Sequence, residues 1–193
     1  MSGPSGVGKT SIVEAVLERT RAGFSVSATT RPSRPGERDG VDYHFVDRDR
    51  FGAMVAAGEL LEWAEYGGHH YGTPVSEVME RLQAGIDVLL DIENNGAKQV
   101  KAAYGDALLI FILPPSIGEL EERLRARGDT SDTDIDRRLA VAEAQIAEAH
   151  AVYDHVVVND DLPTAIDRIS SILLTSRPND RGSSAAGSAE VSQ

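Results

Sequence analysis

Cysteine is absent from the 193 residues, which removes disulfide frameworks, thiolate metal sites and cysteine nucleophiles together. Any metal must therefore be held by oxygen ligands. Long apolar runs are missing too: nothing approaches the roughly 20 residues of a membrane-spanning helix. The start, Met1-Ser2-Gly3-Pro4, has neither the basic nor the apolar region of a signal peptide. Positive charge is scarce, with 19 basic against 31 acidic residues and a net charge of -12, so the long-range field repels polyanions. These absences predict a soluble, cytoplasmic protein that binds neither nucleic acid nor membrane. They leave open whether it is a monomer or a homo-oligomer.

What is present suits one globular domain: 41% hydrophobic and 26% charged residues can supply a single buried core. Only three residues are lysine (Lys9, Lys98 and Lys101), while arginines gather at 31, 34 and 38 and again between 123 and 138. Concentrated guanidinium groups in an acidic chain point to small phosphorylated ligands, because the planar fork pairs with phosphate oxygens bidentately.

The runs Val88 to Ile92, Leu108 to Leu113 and His155 to Val158 are apolar at successive positions, as in strands buried on both faces of a parallel sheet. Helical spacing is found at 11–20, 75–84, 97–103, 117–127, 133–150 and 162–174, so an α/β layered fold with crossover helices is expected. Phe24 to Thr30 reads as one short strand, Arg50 to Ala57 as a helix, and Leu60 to Tyr71, with Gly67-Gly68, as strand-turn-strand. Residues 176–193, rich in Ser, Gly and Ala, read as a disordered tail.

Gly3-Pro4-Ser5-Gly6-Val7-Gly8-Lys9-Thr10 fits the phosphate-loop pattern in full. Its glycines let backbone N–H groups turn toward phosphate oxygens, the following helix adds its dipole, Lys9 reaches the β/γ-phosphates and the Thr10 hydroxyl can ligate Mg²⁺. Such a loop normally follows a buried strand, and here only Met1 and Ser2 precede it. A missing first core strand, with a loss of stability, is therefore expected of a chain starting at Met1. Arg31 and Arg34, three apart in a proline-stiffened loop, can aim at a second phosphate. Asp91 closes an apolar strand, where a carboxylate can help hold Mg²⁺. Taken without context, Glu62 reads as a solvated strand carboxylate. His69-His70 lack companions at metal-ligand spacing and read as turn residues.

The segments SGPSGVGKT, SVSATTRPSRPGERDGVDYHF, GELLEWAEYGGHHYGT, VLLDIENNG, LPPSIGELEERLRARGDTSDTDIDRRL and VVVND, in this order, resemble the guanylate kinases. The resemblance implies a phosphate-loop nucleoside monophosphate kinase fold over residues 2–175, with a GMP-binding lobe at about 28–80 and a lid at about 123–138. It implies transfer of the γ-phosphoryl of ATP to GMP with Mg²⁺. Residue by residue, it assigns Arg31, Arg34, Tyr43 and Tyr71 to the GMP phosphate and Ser27, Glu62 and Thr73 to guanine. Lys9, Arg123, Arg127 and Arg138 fall at the transferring phosphoryl group, and Asn159 near the adenine. Glu93 falls at an acidic position near the GMP base. The family usually has Asp there and Gln just before the glycine, so Glu93-Asn94-Asn95-Gly96 leaves the roles of Glu93 and Asn95 open. Two alternatives remain beside this reading: a non-catalytic module that binds a phosphoprotein, and a related phosphosugar kinase.

Overall fold

The chain is described by a computed structural model over residues 1–126 and 131–176. In order, its elements are α1 (Lys9–Arg19), β1 (Gly23–Phe24), β2 (Ala28–Thr29), β3 (His44–Phe45), α2 (Arg48–Ala56), β4 (Leu60–Tyr66), β5 (His69–Pro74), α3 (Val75–Gln83), β6 (Val88–Leu89), α4 (Asn94–Ala103), β7 (Ile110–Leu113), α5 (Ile117–Ala126), α6 (Asp132–Val152), β8 (His155–Val158) and α7 (Leu162–Thr175).

The core sheet is parallel. β1 pairs with β6 and β7 with β8. Met1 and Ser2 lie between the two pairs: Ser2 accepts from Ile112 N–H at 2.8 Å and donates to the Ile110 carbonyl at 2.9 Å. On the other side Ile92 N–H donates to the Met1 carbonyl at 3.1 Å, and the Met1 amino group donates to the Leu90 carbonyl. The first core strand expected to be missing is thus replaced by these two residues, which bond to the strands on both sides, Ser2 being bridged in parallel to Phe111. Ile110, Phe111 and Ile112 are fully buried because α1 and α7 cover one face while α4 and the end of α6 cover the other. Ile12, Val13 and Val16 of α1 pack with Ile166 and Ile169 of α7; Ala97 and Val100 of α4 meet Phe111, Ala149 and Tyr153. Hydrophobic burial on both faces explains the unbroken apolar runs.

A second sheet, ordered β3-β2-β5-β4, carries the hairpin and packs Ala28 on Phe51 and Met54 of α2. The single strand expected at Phe24 to Thr30 is two short ones. β1 belongs to the core sheet, and the chain crosses at Ser25 to Ser27 into the second sheet as β2. Alternation of residue type continues through the crossing, so it carries no mark of the change of sheet. The helix expected from Ala97 starts at Asn94, since Asn94, Gly96, Ala97 and Val100 all face inward.

Ends are set by local chemistry. The carboxylate of Asp47 accepts from Arg50 N–H and that of Asp161 from Thr164 N–H, while the Ser131 hydroxyl accepts from Asp134 N–H, each satisfying a donor the helix leaves free. Among the described residues no helix is long and apolar enough to cross a membrane.

Candidate active site

The carboxyl ends of the core strands open onto a cleft between the two sheets, where ligands of open α/β sheets bind. It consists of two abutting cavities of about 670 and 560 Å³ that share Arg31, Arg34, Ala64, Tyr66, Tyr71 and Glu93.

On the core side, Gly3 to Gly8 curl over the start of α1. Gly8 caps that helix at φ 94°, a left-handed conformation that strains any residue with a Cβ. Lys9 Nζ donates to the Gly3 carbonyl at 2.8 Å and lies 3.5 Å from the Asp91 carboxylate. Thr10 is exposed at the first turn, and both Thr10 and Asp91 line the cleft. Asn159 is buried at the end of β8 and donates through Nδ2 to the Val7 carbonyl at 2.7 Å. Arg123 of α5 donates to the Asn159 carbonyl at 3.1 Å.

On the other side, Arg31 is fixed from several directions. Its Nη1 donates to the Pro32 carbonyl and to Glu37 Oε2, its Nη2 donates to Glu37 Oε1, and its guanidinium lies 5.4 Å from the Tyr43 ring centre. The Glu37 bond holds the guanidinium firmly protonated. Arg34 is exposed and lines the same cleft. The Tyr43 and Tyr71 rings meet edge to face at 6.0 Å, and burial pushes the Tyr43 phenol up.

Deeper in, β4 places Glu62 directly opposite Thr73 of β5, next to a register shift between Leu60 and Glu62. Glu62 is 4% exposed and Thr73 1%, and Thr73 Oγ1 donates to Glu62 Oε1 at 2.7 Å. Burial raises the Glu62 carboxyl pKa, opposed by the Thr73 bond and reinforced by the charge of Glu93. The solvated reading of Glu62 is therefore overturned: Glu62 is inside while its neighbour Trp63 is 40% exposed. Ser27 and Glu93 line the cleft beside Glu62, and Glu93 Oε2 accepts from Gln145 Nε2 of α6 at 3.1 Å. Arg138 lines the cleft from α6. Arg127 lies outside the described residues.

A buried carboxylate with one hydroxyl partner thus shares a cleft with two arginines, two tyrosines and the start of α1. A family model for guanylate kinase matches residues 1–176. The chain belongs to the guanylate kinase family. It is 54% identical over 177 residues to a guanylate kinase of Thermus thermophilus, covering 92% of this chain and 80% of that one. Against a guanylate kinase of Bacillus subtilis the identity is 49% over 176 residues, covering 90% and 86%. The crystal structure of guanylate kinase from Anaplasma phagocytophilum superposes with a TM-score of 0.74 at 36% identity, covering 90% of this chain and 82% of that one. The expected nucleoside monophosphate kinase fold is the one observed.

Three participants in this guanylate kinase site escaped the sequence reading. Glu37 sits within the quoted arginine motif, three residues after Arg34, and that spacing was its available signal. Gly96 of α4 backs Glu62 so closely that a Cβ there would overlap Oε2. Gln145 reaches Glu93 from 52 residues away, and no local pattern marks it.

Proposed function

We infer that this chain transfers the γ-phosphoryl group of ATP to GMP, giving ADP and GDP. The observation that carries this reading is the buried Glu62–Thr73 pair beside Arg31 and Arg34. An ionised carboxylate accepts from both N1–H and the exocyclic amino group of guanine, whereas adenine lacks the N1–H. Ser27 supplies a hydroxyl to the same cavity, and the Thr73 hydroxyl holds Glu62. Arg31, Arg34, Tyr43 and Tyr71 bind the acceptor phosphate.

Phosphoryl transfer needs little covalent help from the protein beyond in-line positioning and neutralisation of charge. Gly3, Pro4, Ser5, Gly6, Val7, Gly8, Lys9 and Thr10 hold the ATP phosphates, and Lys9, Arg123, Arg127 and Arg138 neutralise the group in transit. Asp91 keeps the Lys9 ammonium near the loop. The lid assigned to about 123–138, part of which lies outside the described residues, would exclude water and suppress ATP hydrolysis. Among the described residues no three acidic or histidine side chains form a metal cluster. The Thr10 hydroxyl and Asp91 carboxylate, both oxygen donors on the cleft, instead fit Mg²⁺, which takes one or two protein ligands and completes its shell with phosphate oxygens and water. When bound, Mg²⁺ would shield charge on the phosphates. The cytoplasm is its expected compartment.

The test is ADP formation from ATP with GMP, AMP or dTMP as acceptor. Turnover with GMP alone, abolished in Glu62→Ala, is expected. A chain that turned over a phosphosugar, with Glu62→Ala unaffected, would sink the reading.

A further inference from the structure

Asn159 falls, by resemblance, near the adenine of ATP, yet its side chain is engaged elsewhere. Nδ2 donates to the carbonyl of Val7, 152 residues away, at 2.7 Å, and Asn159 is only 5% exposed. Its own backbone is held at both ends: Asn159 N–H donates to the Leu113 carbonyl at 2.8 Å, and its carbonyl accepts from Arg123 Nη2. The aim of the side chain is thus set by β7, β8 and α5 together. Packing is equally close, since a Cβ on Gly8 would come within 2.7 Å of Nδ2.

The orientation of one peptide follows. The Val7–Gly8 bond is trans, as are all the described peptides, so its C=O and N–H point in opposite directions within one plane. With the Val7 carbonyl drawn to Asn159, the Gly8 N–H is turned the other way. Besides the Gly8 carbonyl, which accepts from Ile12 N–H at 3.2 Å as α1 opens, three carbonyls of the loop are occupied in this manner: that of Gly3 by Lys9, that of Pro4 by Val7 N–H at 3.2 Å and that of Val7 by Asn159. The first two donors come from the loop and the helix start that follows it; the third comes from across the sheet. It acts where the chain is most easily reoriented, because Gly8 has no Cβ to oppose a flip of the preceding peptide. A flipped peptide would present an oxygen to the phosphates in place of a donor.

We propose that Asn159 is a positioning residue for the phosphate loop, fixing the Val7–Gly8 peptide so that Gly8 N–H is offered to the donor's phosphates irrespective of the base they carry. The inference rests on the reading of residues 3–10 as the site of the donor phosphates. It differs in consequence from adenine reading. A base reader discriminates between ATP and GTP as donors, while a loop positioner affects every triphosphate alike, including one with no base.

The experiment measures binding of ATP, GTP and inorganic tripolyphosphate, each with Mg²⁺, to the wild-type chain, Asn159→Ala and Asn159→Asp, with GMP binding as the reporter of an intact opposite lobe. A common loss of about 10- to 100-fold for all three is expected, as for removal of a buried partner of a polar group. The ATP to GTP ratio and GMP affinity should stay within about twofold, with Asn159→Asp, which sets oxygen against oxygen, at least as impaired as Asn159→Ala. Unchanged tripolyphosphate binding with a selective loss of ATP would overturn the proposal in favour of base reading. Wild-type protein that bound neither ATP nor tripolyphosphate would instead overturn the phosphate-loop reading beneath it. Should the variants not fold, the wild-type chain decides by NMR. A protected Asn159 side-chain N–H that responds alike to ATP and tripolyphosphate supports the proposal; one that exchanges freely, or responds only to ATP, overturns it.

Discussion

Glu37 grips Arg31 through both carboxylate oxygens, at 3.0 and 2.8 Å, and takes the Arg34 N–H at 2.7 Å on Oε2. One acidic side chain thereby organises both arginines of the proposed acceptor-phosphate site. With the Pro32 carbonyl, it uses three of the five guanidinium N–H donors of Arg31, and the Tyr71 hydroxyl hydrogen-bonds the same guanidinium. A carboxylate this near an anion site repels the ligand but removes the rotamer freedom of the arginine.

Positioning should outweigh repulsion in this geometry, because the guanidinium is partly buried and its main partner, Glu37, is charged. Glu37→Ala should raise KM for GMP by about 10- to 100-fold with a much smaller change in kcat, the range expected of a charge-assisted pair. Glu37→Gln, which keeps one acceptor, should fall between. Steady-state kinetics with varied GMP checks this; an alanine variant with lower KM would show that repulsion dominates.

The buried carboxyl of Glu62 ties binding and stability to pH in opposite directions. Its pKa is raised in the fold, so the folded state holds a proton that the unfolded chain releases first. The stability this contributes is full below the ordinary carboxylate pKa and is lost as pH rises through the raised value. In the proposed function guanine is read by the ionised form, so kcat/KM for GMP should fall as pH is lowered through that same raised pKa. Glu62→Gln should therefore melt above the wild type at neutral pH while binding GMP on the order of 100-fold more weakly. Thermal melts and GMP titrations at several pH values test both halves.

Much of this site was readable because its parts are contiguous. The eight residues Gly3 to Thr10 carry their own geometry, and Arg31 and Arg34 share one loop. Parallel strands buried on both faces wrote themselves as apolar runs. Glu62 was different: alternation could not tell which face of β4 is inward, since a register shift lies just before it, and a lone strand carboxylate is ordinarily solvated. Gly96 behind Glu62 and Asn159 beneath Val7 are contacts between distant segments. No local pattern encodes them, and they become visible once the sheet has assembled.

A buried polar network joins the entry of the chain to the site. Asn94 Oδ1 accepts from Ser2 Oγ at 3.1 Å and from Tyr153 Oη at 2.8 Å. Burial is the main cause pushing the Tyr153 phenol up to about 12. The sign again favours the protonated form in the fold: this stability is complete below the ordinary tyrosine pKa of roughly 10 and is lost as pH rises toward 12. Tyr153→Phe should cost about 1 kcal/mol in urea unfolding at neutral pH. It should also remove this alkaline decline, which a wild-type and variant pair measured between pH 9 and 12 resolves.

Gly96 offers the sharpest test of how Glu62 is held. In the first turn of a helix, glycine to alanine ordinarily gains up to about 1 kcal/mol, and Gly96 is buried within α4 with no positive φ to forbid a side chain. The added methyl, however, meets the Glu62 carboxylate, which is itself pinned by Thr73. Gly96→Ala should thus destabilise the fold and raise KM for GMP about tenfold or more, because Glu62 must leave its acceptor position. Removing the carboxylate removes the clash, so Gly96→Ala added to Glu62→Ala should be neutral or stabilising. The two substitutions should then couple by about 1–3 kcal/mol in a double-mutant cycle of unfolding free energies. Additive effects would mean that helix α4 does not support the guanine carboxylate, and that Thr73 alone orients it.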